Sequence, residues 1–250
     1  MSVDLIRVAT DAPAQAAFTT RRGGASEGVY AALNLAASVG DDDAAVRANR
    51  ERLASALGID AARVTMSRQV HGAGVRDVSR EDRAGLFTGG LRGWEEADAL
   101  VTGAPGAAIA VLGADCLPVL LWRRDVPRVA AAHAGWRGLV AGVVEAAVGA
   151  LGEPRRVGAA IGPGIGPCCY PVSAGVREVF ARRFGEEVLA PPAVDLPAAA
   201  RRALAAAGVP ASAVQSVDAC THCEPERFFS HRRDGAPCGR HAGLIWAAAA

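Results

Sequence analysis

Lysine is missing from this sequence of 250 residues, so all 27 of its basic residues are arginines. Without lysine the chain cannot form a lysine Schiff base or build the Gly-Lys phosphate loop of P-loop nucleotide-binding proteins. Recognition of an anion must therefore rely on arginine, histidine or backbone N–H groups. The formal net charge is only +1, so composition gives no electrostatic reason to expect nucleic acid or an anionic membrane as a partner.

Long apolar runs are also missing. No run reaches the roughly 18 residues that a membrane-spanning helix needs, and the first residues lack the basic start and apolar stretch of a secretory signal. We therefore expect a cytoplasmic protein with no membrane partner. Because 51% of the residues are hydrophobic, the chain can bury a large core, and we expect one domain over residues 1–250. Nothing in the sequence predicts an oligomeric state.

Helical and extended patterns are mixed irregularly along the chain, which favours an α/β or α+β fold with a mixed sheet. The patterns predict helices over "GDDDAAVRANRERLASALG", "GLVAGVVEAAVGALG", "SAGVREVFARRFG" and "LPAAARRALAAAGVP". They predict strands over "RVTMSRQV", "ADALVTG", "AAIAVLGAD", "RVGAAIGPGIG", "AVQSVDAC", "RFFSHRR" and "AGLIWAA". The turn signal Asp234-Gly235 predicts that the last two of these strands form a hairpin.

A second hairpin is predicted in the middle of the chain, where "LPVLLWR" and "PRVAAAH" are separated by the short turn "RDV". The start of its first strand lies beside the end of its second, which brings Cys116 near His133. Directly opposed Cβ atoms are about 5 Å apart, although a register slip of one residue would change the pairing. Taken singly, Cys116 and His133 are more often packing residues, and it is their predicted proximity that favours a site.

His71, in "QVHGAGV", also lies at a predicted strand end and is a candidate third member. A cysteine with two histidines supplies three zinc ligands and leaves a fourth position for water or substrate, as catalytic zinc sites do. We therefore predict that His71, Cys116 and His133 are both the metal ligands and the catalytic residues.

Arginines near these segments are candidates for binding a substrate phosphate. Arg137 stands just before a predicted helix start, where backbone N–H groups attract anions. Arg232 and Arg233, in "SHRRDG", are further candidates. A surface ion pair is the alternative for each of the three.

The remaining cysteines suggest a second metal only weakly. Near the C-terminus, four residues follow the spacing C-x2-C-x14-C-x2-H of structural zinc sites: Cys220, Cys223, Cys238 and His241. Cys168 and Cys169 are adjacent, which is a poor arrangement for joint chelation, so we expect them to be buried packing residues.

Nine motifs resemble the YfiH family of laccase-domain proteins, in the family's order and over nearly the whole chain: "LNLAASVGDD", "RANRERL", "QVHGAGV", "ADALVT", "ADCLPVLL", "AAHAGWRG", "AAIGPGIG", "CCYPV" and "FFSHRRDG". The resemblance implies a layered α/β/β/α domain with mixed sheets and a metal site of His71, Cys116 and His133. The sequence departs from the family pattern at three positions. Gly164 stands where the family often has Cys, Pro171 where it often has Glu, and Cys238 where it commonly has Thr. Because the family fold requires no second metal, we expect the C-terminal pattern not to bind zinc.

The resemblance also implies an activity. It predicts a zinc-dependent purine nucleoside phosphorylase that converts adenosine, inosine or methylthioadenosine to free base and ribose 1-phosphate, with adenosine deamination as a side activity. Nucleoside and phosphate would be its partners. Members of the family have also been called polyphenol oxidoreductases and peptidoglycan editing factors, so copper is a second possible metal.

Three alternatives stay open at this point. Cys116 could be the nucleophile of a metal-free cysteine hydrolase, activated by His133 or His71 and acting on an amide of a peptidoglycan precursor. A copper-dependent polyphenol oxidoreductase is weaker, because a multicopper enzyme needs many histidines and the chain has five. A non-enzymatic protein could use the same pocket to bind a small ligand, and phosphate-dependent turnover of a nucleoside would distinguish it.

Overall fold

The computed structural model describes residues 2–78 and 95–247. Its strands are β1 (Leu5–Val8), β2 (Ala14–Thr19), β3 (Val64–Thr65), β4 (Val75–Asp77), β5 (Ala99–Thr102), β6 (Ala108–Gly113), β7 (Leu117–Arg123), β8 (Val129–Ala134), β9 (Val157–Ile161), β10 (Leu189–Ala190), β11 (Ala193–Val194), β12 (Val214–Ser216) and β13 (His241–Ala247). Its α-helices are α1 (Asp43–Leu57), α2 (Trp136–Ala141), α3 (Val143–Leu151), α4 (Ala174–Phe184), α5 (Leu196–Ala206) and α6 (His231–Asp234).

Two large mixed sheets organise the described part of the chain. One has the strand order β1-β2-β13-β6-β3, the other has the order β12-β9-β7-β8-β5-β4, and β10 pairs with β11 separately. Both large sheets contain parallel and antiparallel pairs. In the five-stranded sheet β6 pairs parallel with β3 and antiparallel with β13. In the six-stranded sheet β5 pairs parallel with β4 and antiparallel with β8. The mixed order explains why the sequence shows no regular alternation of strand and helix.

The sheets stack face to face, with helices on both outer surfaces. Phe18 and Ile109 of the five-stranded sheet pack against Leu120 and Trp122 of the six-stranded sheet. The opposite face of β7 presents Leu117, Val119 and Leu121 to α2, α3, α4 and α5. Since α1 covers the outer face of the five-stranded sheet, the layers follow the order α/β/β/α, and the predicted fold class is confirmed.

The predicted central hairpin is present. β7 and β8 pair antiparallel, with Leu117 opposite Ala134 and Trp122 opposite Val129. Helix α1 is also as predicted, because the Asp42 side chain accepts a hydrogen bond from the Ala44 N–H at its start and Gly58, with a φ of 69°, ends it.

One prediction of secondary structure was wrong, and two were right only in part. "RFFSHRR" is not a strand: the Ser230 hydroxyl accepts a hydrogen bond from the Arg233 N–H and starts the short helix α6, so no hairpin forms with β13. "GLVAGVVEAAVGALG" forms two helices, because Gly142 adopts a φ of 89° between them. "RVTMSRQV" is a strand only over Val64–Thr65, with one isolated bridge at Arg68.

Among the described residues, none of the helices combines the length and the apolar character needed to cross a membrane.

Candidate metal centre and cavity

Cys116 and His133 meet at the open end of the β7–β8 hairpin, although they are not directly opposed. The residue opposite His133 is Pro118, and Cys116 lies two positions before Pro118, on the same face of the sheet. The pair is therefore diagonal. Together with His71 they form a group whose potential ligand atoms lie within 4.8 Å of one another, so the predicted convergence of the three residues is present.

A buried carboxylate, Asp98, joins the two histidines. Its oxygens accept hydrogen bonds from the backbone N–H groups of Val70, His71 and Gly72, at 3.1, 2.9 and 2.7 Å. The same carboxylate lies 2.9 Å from Nδ1 of His133. Bonding at Nδ1 leaves Nε2 of His133 available to a ligand, which is the second-shell arrangement found around many zinc-bound histidines.

The backbone is strained on both sides of the cluster. His71 has a φ of 62° and Asp115, directly before Cys116, has a φ of 96°, values that residues with a Cβ rarely adopt. The Asp115 carboxylate is held by the Thr221 hydroxyl at 2.7 Å and the Arg232 N–H at 2.6 Å. Such positions are retained only where surrounding contacts fix them, and they concentrate at functional sites.

Gly135 leaves the space in which the Cys116 thiol lies. A Cβ added at this position would be 2.7 Å from Sγ of Cys116 and 3.2 Å from Cδ2 of His71. Gly135, the first glycine of "AAHAGWRG", is thus required because the sulfur closely approaches the backbone that leads into α2.

The electrostatics favour a thiolate beside an imidazolium. Burial alone would raise the pKa of Cys116, but the charge and hydrogen bond of His133, with a contribution from His71, lower it to about 6. Burial alone would lower the pKa of His133, but the Cys116 thiolate and Asp98 raise it to about 9. Burial likewise opposes ionisation of Asp98, yet the hydrogen bonds from His133 and Gly72 outweigh it and its pKa is lowered.

The cluster opens into a cavity of about 600 Å³, within the size range of small-molecule sites. Besides His71, Cys116 and His133, the wall contains two aromatic residues, five further polar residues and five arginines: Trp136, Tyr170, Ser38, Ser67, Gln69, Asp115, His231, Arg50, Arg68, Arg137, Arg232 and Arg240. Five arginines against one carboxylate among the described lining residues make this an anion-attracting cavity.

The two arginines predicted to bind substrate lie in different places. Arg137 lines the cavity and stacks on Trp136 at 4.8 Å, and within the described ranges its guanidinium has no hydrogen bond or ion pair. Arg233 does not line the cavity. Its guanidinium donates to the carbonyls of Thr221 and Phe228 and to the Asp234 carboxylate. These contacts indicate a structural role for Arg233. Its neighbour Arg232 lines the cavity instead and stacks on Tyr170 at 4.7 Å.

Sequence reasoning missed three residues of the site. Asp98 could have been noticed as an acidic residue at the start of the apolar run "ALVT". Tyr170 and Asp115 carried no comparable signal. Burial raises the pKa of the Tyr170 phenol to about 12, so it remains a hydrogen-bond donor at neutral pH.

The four residues of the C-terminal spacing pattern, which we expected not to bind zinc, do not lie together in the structure. Cys220 and Cys223 lie together with Cys168 and Cys169, all four sulfurs within 4.8 Å. Cys238 is buried elsewhere, beside Ala114 and Phe229. His241, the fourth residue of the spacing pattern, is buried in β13 against Phe228. The prediction that Cys168 is a buried packing residue was wrong, because it is exposed.

The chain was also compared with known proteins. Residues 15–248 match a family model described as "Multi-copper polyphenol oxidoreductase laccase". A relative from Streptomyces coelicolor, named as a purine nucleoside phosphorylase, is 44% identical over 92% of this chain and 93% of its own. "Purine nucleoside phosphorylase YfiH" of Escherichia coli is 40% identical over 91% of each chain. The crystal structure of YlmD from Geobacillus stearothermophilus superposes with a TM-score of 0.89 at 37% identity, covering 96% of this chain and 94% of that one.

Proposed function

This chain belongs to the YfiH family, the laccase-like family identified by the match over residues 15–248, and on that premise we propose that it is a zinc-dependent purine nucleoside phosphorylase. The observation that carries the proposal is the position of a cluster of two imidazoles and a thiol on the wall of an arginine-lined cavity. Its substrates would be adenosine, inosine or methylthioadenosine together with phosphate, with adenosine deamination as a side activity and the cytoplasm as its location.

The donor set fits zinc. Two histidine nitrogens and one cysteine sulfur are zinc ligands, and the second-shell bond from His133 to Asp98 is of the kind that orients such a ligand. When bound by His71, Cys116 and His133, zinc would supply Lewis-acid chemistry next to the substrate. Copper accepts the same ligands. Only one histidine-containing cluster occurs in the described part of the chain, which favours a single metal at the reaction site over multicopper oxidation.

Arg137 and Arg232 are the residues that we expect to hold phosphate. Phosphorolysis requires a phosphate oxygen to be positioned at the anomeric carbon of the ribose, and charge-assisted bonds from arginine supply both charge and direction. Arg137 can turn toward a ligand without breaking a polar contact of the described chain. Arg232 is more constrained, because it donates to the Pro171 carbonyl at 2.9 Å.

The purine would be held by the aromatic part of the wall. Tyr170 and Trp136 offer ring faces for stacking. The Tyr170 phenol, protonated at neutral pH because its pKa is about 12, can donate to a ring nitrogen or a hydroxyl. The Ser67 hydroxyl is buried without a hydrogen-bond partner in the described part of the protein. Because it also lines the cavity, it is a further polar contact for the ligand.

A cysteine hydrolase is the second candidate, and one observation favours it. A thiol, an imidazole and a carboxylate lie next to one another in the order Cys116, His133 and Asp98. The pKa of the Cys116 thiol is about 6, as in activated nucleophiles. A chelator should abolish phosphorolysis and leave such a hydrolase active. Alkylation of Cys116 that is not prevented by zinc, together with a trapped acyl-Cys116 intermediate, would identify the hydrolase.

Phosphate-dependent turnover is the direct test. Inosine or adenosine with phosphate should yield free base and ribose 1-phosphate, arsenate should replace phosphate, and ammonia release from adenosine would report the deaminase activity. Arg137→Ala should raise the KM for phosphate roughly ten- to a hundredfold, because a charge-assisted hydrogen bond contributes about 1.5–3 kcal/mol. The matched control is Arg182→Ala, which removes an exposed arginine paired with Glu178 on α4. Cleavage that proceeds equally without phosphate or arsenate would rule out phosphorolysis.

A further inference from the structure

Four cysteine sulfurs converge outside the candidate metal centre. Cys168 and Cys169 lie in the loop that follows β9, and Cys220 and Cys223 lie in the turn that follows β12. The Cys223 sulfur is 3.6 Å from that of Cys168 and 3.3 Å from that of Cys169. All four lie within 4.8 Å of one another, and all are free thiols.

The backbone brings these loops together by continuing the parallel pairing of β9 and β12. Beyond the strands, Gly164 bridges to Cys220, and the Thr221 N–H donates to the Gly164 carbonyl at 3.0 Å. Two tight turns then direct the sulfurs to one point. The Cys169 N–H donates to the Gly166 carbonyl at 3.0 Å, and the Cys223 N–H donates to the Cys220 carbonyl at 3.1 Å. The Gly166–Cys169 turn is what allows two adjacent cysteines to share a site.

The sulfur separations that involve Cys223 are close to those around one tetrahedral ion, and the remaining pairs lie within 4.8 Å. Zinc–sulfur bonds of about 2.3 Å place the sulfurs of a four-thiolate site about 3.8 Å apart, close to the 3.3 and 3.6 Å observed here. The Gly166 N–H donates to the Cys220 sulfur at 3.2 Å, a hydrogen bond of the kind that stabilises a metal-bound thiolate. Four soft thiolates in tetrahedral arrangement select zinc or iron over harder cations.

We propose that Cys168, Cys169, Cys220 and Cys223 bind a structural zinc ion, separate from the site of His71, Cys116 and His133. A site with four protein ligands has no position for substrate and acts by holding its loops together. Here it would join the loop carrying Tyr170 to the turn carrying Thr221, whose hydroxyl supports Asp115 beside Cys116. The ion would thus fix one wall of the cavity without taking part in the reaction.

Zinc content measured on variants of the full chain tests this assignment. Protein purified without chelator should contain about two zinc per chain, and Cys116→Ala or Cys223→Ser should each remove one. Cys238→Ser is the matched control, because Cys238 is a buried cysteine outside both clusters, and it should keep both. Zinc content unchanged in Cys223→Ser, or iron in place of zinc, would overturn the proposal.

A spectroscopic measurement covers the case in which Cys223→Ser does not fold. In Cys116→Ala the remaining zinc should be surrounded by four sulfur atoms at about 2.3 Å in X-ray absorption, and cobalt substitution should give an intense thiolate charge-transfer band. Nitrogen or oxygen ligands in that spectrum, or thiol titration showing these cysteines consumed as disulfides, would contradict a four-thiolate site. Because Cys116→Ala lacks a ligand of the catalytic cluster, this result is independent of whether the chain is a phosphorylase.

Discussion

Replacing Asp98 by asparagine should damage both the stability of the protein and its metal site. Four hydrogen-bond donors converge on this one buried carboxylate: three backbone N–H groups and the His133 ring. One oxygen receives Val70 and Gly72, and the other receives His71 and His133. An asparagine keeps one carbonyl oxygen and replaces the other by an NH2 group, so two donors lose their acceptor whichever way the amide is turned.

The expected magnitude follows from those contacts. Leaving a buried donor unpaired costs about 1–3 kcal/mol, so Asp98→Asn should lower the free energy of unfolding by about 2–6 kcal/mol, a large part of the roughly 5–15 kcal/mol of a typical domain. Loss of a second-shell partner of His133 should weaken metal binding about 10- to 100-fold. The fall in stability should be present in chelator-treated protein as well, because the hydrogen bonds do not depend on the metal.

Two assays separate these effects. Urea denaturation of chelator-treated protein measures the stability, and competition with a coloured chelator measures zinc affinity. Asp77→Asn is the matched control: Asp77 forms an exposed ion pair with Arg128, which should contribute no more than about 1 kcal/mol. An Asp98→Asn variant as stable as this control, with unchanged zinc affinity, would refute the role assigned to Asp98.

Three further predictions concern the neighbourhood of Cys116 and Arg233. In chelator-treated protein, alkylation of Cys116 followed on its own peptide should be half-maximal near pH 6, since a lowered pKa keeps the thiolate present above that pH; a midpoint near the ordinary thiol value of about 8.5 would contradict the thiolate–imidazolium pair. Gly135→Ala should displace the Cys116 thiol, and the cluster should then lose its metal. The control is Gly149→Ala in α3, where an added Cβ meets nothing within 4 Å and should raise the free energy of unfolding by about 0.5–1 kcal/mol. Equal zinc content in the two variants would count against the close approach at Gly135. Arg233→Ala should lower the unfolding midpoint while leaving the KM for phosphate nearly unchanged, because its guanidinium is bonded to backbone carbonyls outside the cavity; a selective rise in that KM would return it to the substrate site.

The parts of the fold and site that follow from local pattern could be predicted. The hairpin of β7 and β8 needs only two apolar runs and a short turn, and its existence was enough to bring Cys116 to His133. The diagonal offset could not be foreseen, because the register depends on where the turn closes. Helix α1 was likewise predictable, since its cap and its terminal glycine are both local signals.

The parts that depend on distant contacts could not be read from the sequence. The bonds of Asp98 to the loop around His71 span 26 to 28 residues. The cysteine cluster unites turns 54 to 55 residues apart, which are adjacent only because β9 pairs with β12. The segment "RFFSHRR" has the apolar and aromatic content of a strand, yet Ser230 and the support that Asp115 gives to Arg232 turn it into a helix.

The three candidate metal ligands, His71, Cys116 and His133, are brought together by different parts of the fold, and this has a consequence for the order of folding. Cys116 and His133 flank a single hairpin, a structure that forms in about 1–10 μs. His71 is held beside them by contacts of longer range, the pairing of β5 with β8 and the bonds of Asp98 to the loop from Val70 to Gly72, so we expect it to join later. We therefore expect metal capture to be a late event, one that slows unfolding without accelerating folding. His71 is also the exposed member of the group, so exchange of the ion should follow the opening of its loop while the hairpin stays closed.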